Sequence, residues 1–211
     1  MEYDELSTSR VSRSVPLPRS FYDRDAAQVA RDLLGKVLWR ASSAGTIAGR
    51  IVETEAYLSR DDAACHACRG QTRRNASMFG PPGHAYVYII HTRWCLNAVT
   101  EPAGVASAVL IRAIEPLTGI ELMSVQRGTE RARDLARGPG RLCEALAIDR
   151  ELDGWDLTSG RRLWIADGGA PLSAEEIAVG PRVGISRASD LPLRFVVAGN
   201  RFVSLPRVKP S

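Results

Sequence analysis

Apolar residues in this chain fall mostly in short runs of strand length, and helical spacing appears only in places. Residues 1–18 are polar, with serines, arginines and two prolines, and read as a disordered arm. From Phe21 the pattern becomes globular. Asp23 or Asp25 can cap a helix running to Leu34, with Val29, Ala30, Leu33 and Leu34 as its buried stripe and Gly35 at its end. Residues 36–39 read as a short strand and 46–57 as a longer one. Residues 85–90 and 94–99 pattern as a hairpin around His91, Thr92 and Arg93, and 106–113 as another buried strand. Pro116 is expected to open a helix through Val125. Residues 127–137 alternate charges and read as a solvated helix or loop, and Gly138-Pro139-Gly140 opens a helix from Arg141 to Ala147. From Leu163 the chain reads as short strands at 163–166, 182–186 and 193–197. With no repeat and no linker, the pattern predicts one domain over 19–207. Its class is α/β in the α+β form: a mainly antiparallel, curved sheet with helices packed outside.

Two segments stand apart from this regular pattern. Residues 58–84 form a long, polar, arginine-rich stretch, and a loop of that length in a compact domain is usually functional. Residues 49–57, Gly-Arg-Ile-Val-Glu-Thr-Glu-Ala-Tyr, read as a strand ending on two carboxylates and a tyrosine. If that strand stays regular, Ile47, Ile51, Glu53, Glu55 and Tyr57 point to one side of the sheet. An apolar face that changes to Glu-x-Glu-x-Tyr is a poor core, and it suits an acid/base site with an aromatic wall. Its plainer alternative is a strand leaving the core with its glutamates in water.

Composition narrows the classes. With 211 residues, 45% of them hydrophobic, a single well-buried core is available. No apolar run approaches a membrane span, and Met1-Glu-Tyr-Asp-Glu lacks the basic, apolar start of a signal peptide, so a cytoplasmic protein is expected. The formal charge is +4 and the pI about 9.1, which fits a polyanionic partner. Only Lys36 and Lys209 are lysines; arginine, which otherwise supplies the positive charge, suits bidentate phosphate contacts, although a GC-rich genome would produce the same bias. Cys65, Cys68, Cys95 and Cys143 should be reduced. Cys65-His66-Ala67-Cys68 resembles half a zinc site, but no second half follows, so small semi-buried cysteines and no metal are expected.

Residues 49–57, His66, Arg73-Arg74-Asn75, Met78-Phe79, Pro82-Gly83, Tyr86-Val87-Tyr88, Asn97 and residues 110–116 occur in the order found in alkyladenine (3-methyladenine) DNA glycosylases. Residues 138–142, Arg182-Val183-Gly184-Ile185 and Leu193-Arg194-Phe195 extend the match, so the chain resembles that family over about residues 19–205. The resemblance implies hydrolysis of an N-glycosidic bond by an activated water, with Glu55 as general base and stabiliser of an oxocarbenium-like transition state. It implies that Arg112 helps hold the water, where a guanidinium also favours the charged carboxylate. The main-chain carbonyl of Ile185 matches the group that orients the water. Glu53 is the lesser candidate for the base.

The base must leave the duplex to reach such a site. Tyr57 and Tyr88 match aromatic walls that stack on it, and His66 the pocket wall; a cationic alkylated purine meets a π-face well. Asn97 matches the residue that discriminates against the 2-amino group of guanine. His91 stands where animal members of the family carry a wedge tyrosine, and its smaller, less apolar ring fills a vacated stack less favourably. Arg69, Arg73, Arg74 and Arg93 suit a phosphate-gripping rim, and backbone N–H groups of the Gly138-Pro139-Gly140 turn could add to it. With neither lysine near Glu55 in sequence, no amine is placed for a Schiff base, so hydrolysis without strand cleavage is the simpler chemistry. The implied enzyme is a monomer acting on double-stranded DNA with damaged purines, without cofactor. A non-catalytic nucleic-acid-binding module on the same fold is the alternative from another class, and a zinc enzyme using Cys65, His66 and Cys68 is a second.

Overall fold

The computed structural model describes residues 15–206 and residue 208. Two short helices, α1 (Arg19–Tyr22) and α2 (Ala26–Asp32), lead into the hairpin β1 (Val37–Ser42) and β2 (Gly45–Tyr57). The long loop follows, then β3 (Ala85–Ile90), β4 (Arg93–Thr100) and β5 (Ser107–Thr118). Helices α3 (Ile120–Arg127), α4 (Ala132–Leu135) and α5 (Pro139–Ala145) precede β6 (Leu163–Ala166), β7 (Ile177–Gly180) and β8 (Arg194–Val197). The strands form one curled sheet in the order β3-β4-β5-β2-β1-β6, every pairing antiparallel, with β8 joined to the end of β2 and β7 to β8. No described helix is long and apolar enough to cross a membrane.

Helix α2 forms because the Asp25 carboxylate accepts from the N–H groups of Ala27 and Gln28, which the helix cannot satisfy itself. Val29, Ala30 and Leu33 then bury against the sheet with Leu38, Ile51, Ile111 and Ile114, while Met123 of α3 and Leu142 of α5 complete the same core. The helices thus cover one face, as expected. The opposite face splits into two smaller clusters, one around Val52, Val196 and Phe202, the other beneath the long loop around Cys65, Met78, Tyr86 and Val99.

Several segments differ from the sequence expectation. Pro116 does not start a helix: β5 continues to Thr118, and Pro116 stands opposite Gly49 beside an irregularity in the β2–β5 ladder, where a missing N–H is tolerated. Gly119, at φ +71°, makes the turn into α3. Within 127–137, Leu135 and Ala136 are buried and Arg137 bridges to Ala113, so this segment is not wholly solvated. Residues 182–186 form no strand; the Val183 N–H donates to the Glu55 side chain, where a strand would direct it to a neighbouring carbonyl. Pro16 bridges to Ala166 and the Leu17 N–H donates to the Ile165 carbonyl, so residues 16 and 17, assigned above to the arm, extend the sheet edge. Residues 1–14 of that arm lie outside the described residues.

Candidate active site

Register builds the site. Tyr86 pairs with Asn97, Asn97 with Leu110, Leu110 with Glu55, and Glu55 with Arg194, so one row crosses β3, β4, β5, β2 and β8. The β2–β5 ladder slips twice between Ile51 and Thr54. This irregularity breaks the expected alternation. Ile47 and Ile51 pack in the helix-side core and the Thr54 hydroxyl donates to the Ala30 carbonyl of α2, whereas Val52, Glu53, Glu55 and Tyr57 turn the other way. Ile51 and Glu53 therefore do not share a face, and the bulge is what brings both glutamates to the side opposite the helices.

Both glutamates are fully buried, with different partners. Glu53 accepts from Arg112 Nε (2.7 Å), Arg194 Nε (2.9 Å) and the backbone and hydroxyl of Ser204 (2.7 and 2.9 Å). Burial works to raise its pKa, but Arg112, Arg194 and the Ser204 N–H outweigh it, and the carboxyl is held below the ordinary glutamate value. Glu55 Oε1 accepts from the Val183 N–H (2.7 Å), and Oε2 accepts from the Tyr57 hydroxyl (3.0 Å) and lies 3.2 Å from Arg112 Nη1. Arg112 thus links the two carboxylates. Burial opposes its charge, yet Glu55 and Glu53 outweigh that and raise its pKa.

Beside Glu55 lies a cavity of about 290 Å³, lined by Tyr57, His66, Tyr86, Tyr88, Asn97 and Arg112 together with Ile185 and His91. The two partners of Glu55 Oε2, Tyr57 and Arg112, line it, as does Val183. The other partners of Glu53, Arg194 and Ser204, do not. That contrast separates the two glutamates: only Glu55 touches the cavity through its neighbours on both oxygens.

The wall is aromatic. His66 and Tyr88 meet edge to face with centroids 4.4 Å apart, and Tyr86 stacks on Tyr88 at 5.2 Å. His66 Nδ1 is 2.9 Å from the Tyr86 hydroxyl. Partial desolvation of the ring against its neighbours, then the nearby Arg74 charge, lower the His66 pKa, which favours the neutral imidazole. Burial, then the Glu55 charge, raise the Tyr57 pKa, and burial above all raises that of Tyr88, so both remain neutral phenols. Asn97 is buried, its Nδ2 donating to the Tyr86 carbonyl (3.0 Å).

The mouth is the β3–β4 hairpin. His91 and Thr92 both have positive φ, +44° and +69°, the backbone of a tight primed turn that bulky residues seldom adopt. His91 is exposed at the tip, flanked by the exposed Ile89 and Ile90. Trp94 instead packs on the main core, which removes it from the tip. Arg73 and Arg74 are exposed on the long loop. Arg93 is less free than expected, because it is ion-paired to Glu144 of α5, which also holds Arg127. Lys36 pairs with Asp167 and does not line the cavity, and Lys209 lies outside the described residues.

The Cys-His-x-Cys segment is not gathered around one point. Cys65 is buried with its thiol pKa pushed up to about 11, mainly by burial, while Cys68 is exposed. Among the described residues no group of three or more His, Cys, Asp or Glu side chains comes together as a metal cluster.

Comparison with known proteins places the chain in a family. A sequence profile of the methylpurine-DNA glycosylase family matches residues 20–201. The chain belongs to the methylpurine-DNA glycosylase family. It is 50% identical over 204 residues to a protein of Koribacter versatilis provisionally named a 3-methyladenine DNA glycosylase, an alignment covering 94% of this chain and 98% of that one. Proteins under the same name from Carboxydothermus hydrogenoformans (50% over 189 residues, 89% and 98% covered) and Methanocella arvoryzae (51% over 180 residues, 84% and 88% covered) are similarly close. The chain is accordingly a DNA glycosylase, and its macromolecular substrate is DNA.

Sequence reasoning missed two contributors. Val183 acts through its backbone N–H, which leaves no trace in residue type. Asp62, ion-paired to Arg182 next to Val183, is a buried acid in a polar loop, and nothing in its spacing separates it from the exposed Asp61 beside it.

Proposed function

We propose that this chain is a monofunctional DNA glycosylase that excises alkylated or deaminated purines and leaves an abasic site for base excision repair. The 3-methyladenine of its relatives' names is the first substrate, and 7-methylguanine, hypoxanthine and ethenoadenine form the wider class. The observation that carries this reading is a buried Glu55 whose oxygens are held by Tyr57, Arg112 and Val183 directly beside an aromatic cavity.

A purine flipped out of the duplex stacks between Tyr57 and the His66–Tyr88 wall, where a cationic ring is favoured by the π-faces. A water entering between Tyr57 and Arg112 gives its proton to Glu55 and attacks the anomeric carbon, while the N-glycosidic electrons leave with the base. The carboxylate also stabilises the positive charge developing on the sugar, and the Ile185 carbonyl orients the water. Asn97, fixed by its bond to the Tyr86 carbonyl, disfavours a 2-amino group, so 7-methylguanine should be excised more slowly than 3-methyladenine and undamaged guanine least of all. His91 occupies the vacated stack, Arg73 and Arg74 hold phosphates, and Arg93 does so after leaving Glu144. The enzyme works as a monomer in the cytoplasm, on the nucleoid. A cationic base needs no further proton to depart, so 3-methyladenine and 7-methylguanine should react faster than the neutral hypoxanthine and ethenoadenine.

The test is a lesion panel under single-turnover conditions, scoring free base and alkali-labile abasic sites. Release of 3-methyladenine without strand scission supports the proposal. Tight DNA binding with no base released from any lesion would favour the non-catalytic binding module instead.

A further inference from the structure

The loop after β2 and the loop after β7, each of which contributes residues to the cavity lining, are joined by a buried ion pair. Arg182 Nη1 and Nη2 donate to Asp62 Oδ2 and Oδ1 at 2.6 and 2.7 Å, a bidentate fork in which neither side chain has any exposed area. The same carboxylate accepts from the N–H groups of Leu58 (3.0 Å) and Ala64 (3.1 Å), so all four of its acceptor positions are used inside the protein. Arg182 Nη1 also donates to the Ala56 carbonyl (2.9 Å), between Glu55 and Tyr57. Its guanidinium lies 4.7 Å from the centroid of the Tyr57 ring. Tyr57 lines the cavity and Arg182 does not, so the cation backs the ring from the side away from the cavity.

We infer that Asp62 and Arg182 are a positioning pair for the reaction, fixing both the Tyr57 wall and the Val183 N–H that holds Glu55 Oε1. This rests on the glycosylase reading of Glu55. Val183 follows Arg182 directly, so moving the fork moves the 2.7 Å hydrogen bond on the catalytic carboxylate. Beyond Asp62, the Ala64 amide that it holds leads to His66, the opposite wall of the same cavity. One rigid fork therefore sets the distance between the carboxylate and both ring walls. A buried ion pair adds little net stability over a well-packed apolar pair, but its planar geometry constrains its neighbours tightly. Small displacements of positioning groups are costly in rate, on the order of 100-fold for about 1 Å.

The experiment compares wild type, Asp62→Asn, Arg182→Lys, the double variant and Glu55→Gln in single-turnover excision of 3-methyladenine from duplex DNA, across a range of enzyme excess. Assays run below the unfolding midpoint of every variant, measured by circular dichroism, so each protein is folded. Arg182→Lys keeps the positive charge but loses the planar fork, and with it the geometry that also reaches the Ala56 carbonyl and the Tyr57 ring. The saturating rate should fall by ~10-fold or more in both single variants. The half-saturating enzyme concentration should change by less than about threefold, because neither side chain is exposed to DNA. The double variant should be no slower than the slower single, since both break one fork. Saturating rates within about twofold of wild type, or a loss confined to half-saturation, would overturn the positioning role. If Glu55→Gln also excises at the wild-type rate, the glycosylase reading of Glu55 fails with it; if Glu55→Gln alone is dead, only the positioning pair fails.

Discussion

Glu53→Gln is the sharpest probe of how the structure holds its charged centre. The substitution keeps the shape and removes a charge that is fully buried and accepts four hydrogen bonds, from Arg112, Arg194 and twice from Ser204. An amide nitrogen placed there faces donors on every side. Arg112 keeps Glu55 as a counter-charge, but Arg194, with a side chain 1% exposed, retains only the Ser204 and Pro206 carbonyls. Breaking one side of a buried pair costs about 3–5 kcal/mol, against a total stability of roughly 5–15 kcal/mol. At about 2–4 °C per kcal/mol for a domain of this size, the midpoint should fall by roughly 6–20 °C. Thermal and urea unfolding of both proteins at pH 7 measures this. The sign with pH follows from the lowered carboxyl pKa of folded Glu53. Its charge contributes in full above the ordinary glutamate value and ceases to contribute as pH falls through the lower folded value. The gap between wild type and Glu53→Gln should therefore be widest near neutrality and close as the pH drops below about 4.5. Adding Arg194→Met should recover part of the loss, since the uncompensated cation is then gone. A loss under ~1 kcal/mol at pH 7, or one that does not vary with pH, would refute the reasoning.

The exposed ring of His91 on its strained turn should matter mainly where a stack must be refilled. His91→Ala should slow excision from duplex DNA more than from single strands, and His91→Tyr should restore or exceed wild-type duplex activity; equal rates in all three would make His91 a bystander. Treatment with EDTA should leave activity intact, because the proposed mechanism draws its water activation from Glu55 and Arg112, and Cys65 and Cys68 lie in different environments. Complete loss on chelation, reversed by zinc, would contradict that mechanism.

Much of this fold is legible in the chain because its strands are runs of apolar, β-branched and aromatic residues with turn residues between them. Asp25 with the Val29–Leu33 stripe fixes α2, and the apolar runs on either side of His91, Thr92 and Arg93 fix the hairpin. What escaped prediction depends on partners distant in sequence. The slip between Ile51 and Thr54 reverses the parity of β2, and no local pattern announces a bulge. Pro116 reads as a helix start, but tertiary pairing with Gly49 keeps it in a strand. Residues 182–186 alternate like a strand, yet Arg182 is claimed by Asp62, 120 positions away, and the Val183 amide by Glu55. The candidate site follows the same division. Glu55, Tyr57, Tyr88, His66, Asn97 and Arg112 stand out by chemistry and by family resemblance, and they gather at or directly behind one cavity. The engagement of Arg93 by Glu144 is set by packing of α5 against the hairpin, which residue type does not encode.

Glu55→Gln tests the central claim most directly. It preserves the side-chain shape and the bond from Val183, and removes the proton acceptor beside the cavity. Measured by single-turnover release of 3-methyladenine from duplex DNA, its rate should fall by at least ~100-fold with duplex binding largely kept. Near-normal excision by Glu55→Gln would contradict the mechanism and return the role of base to Glu53.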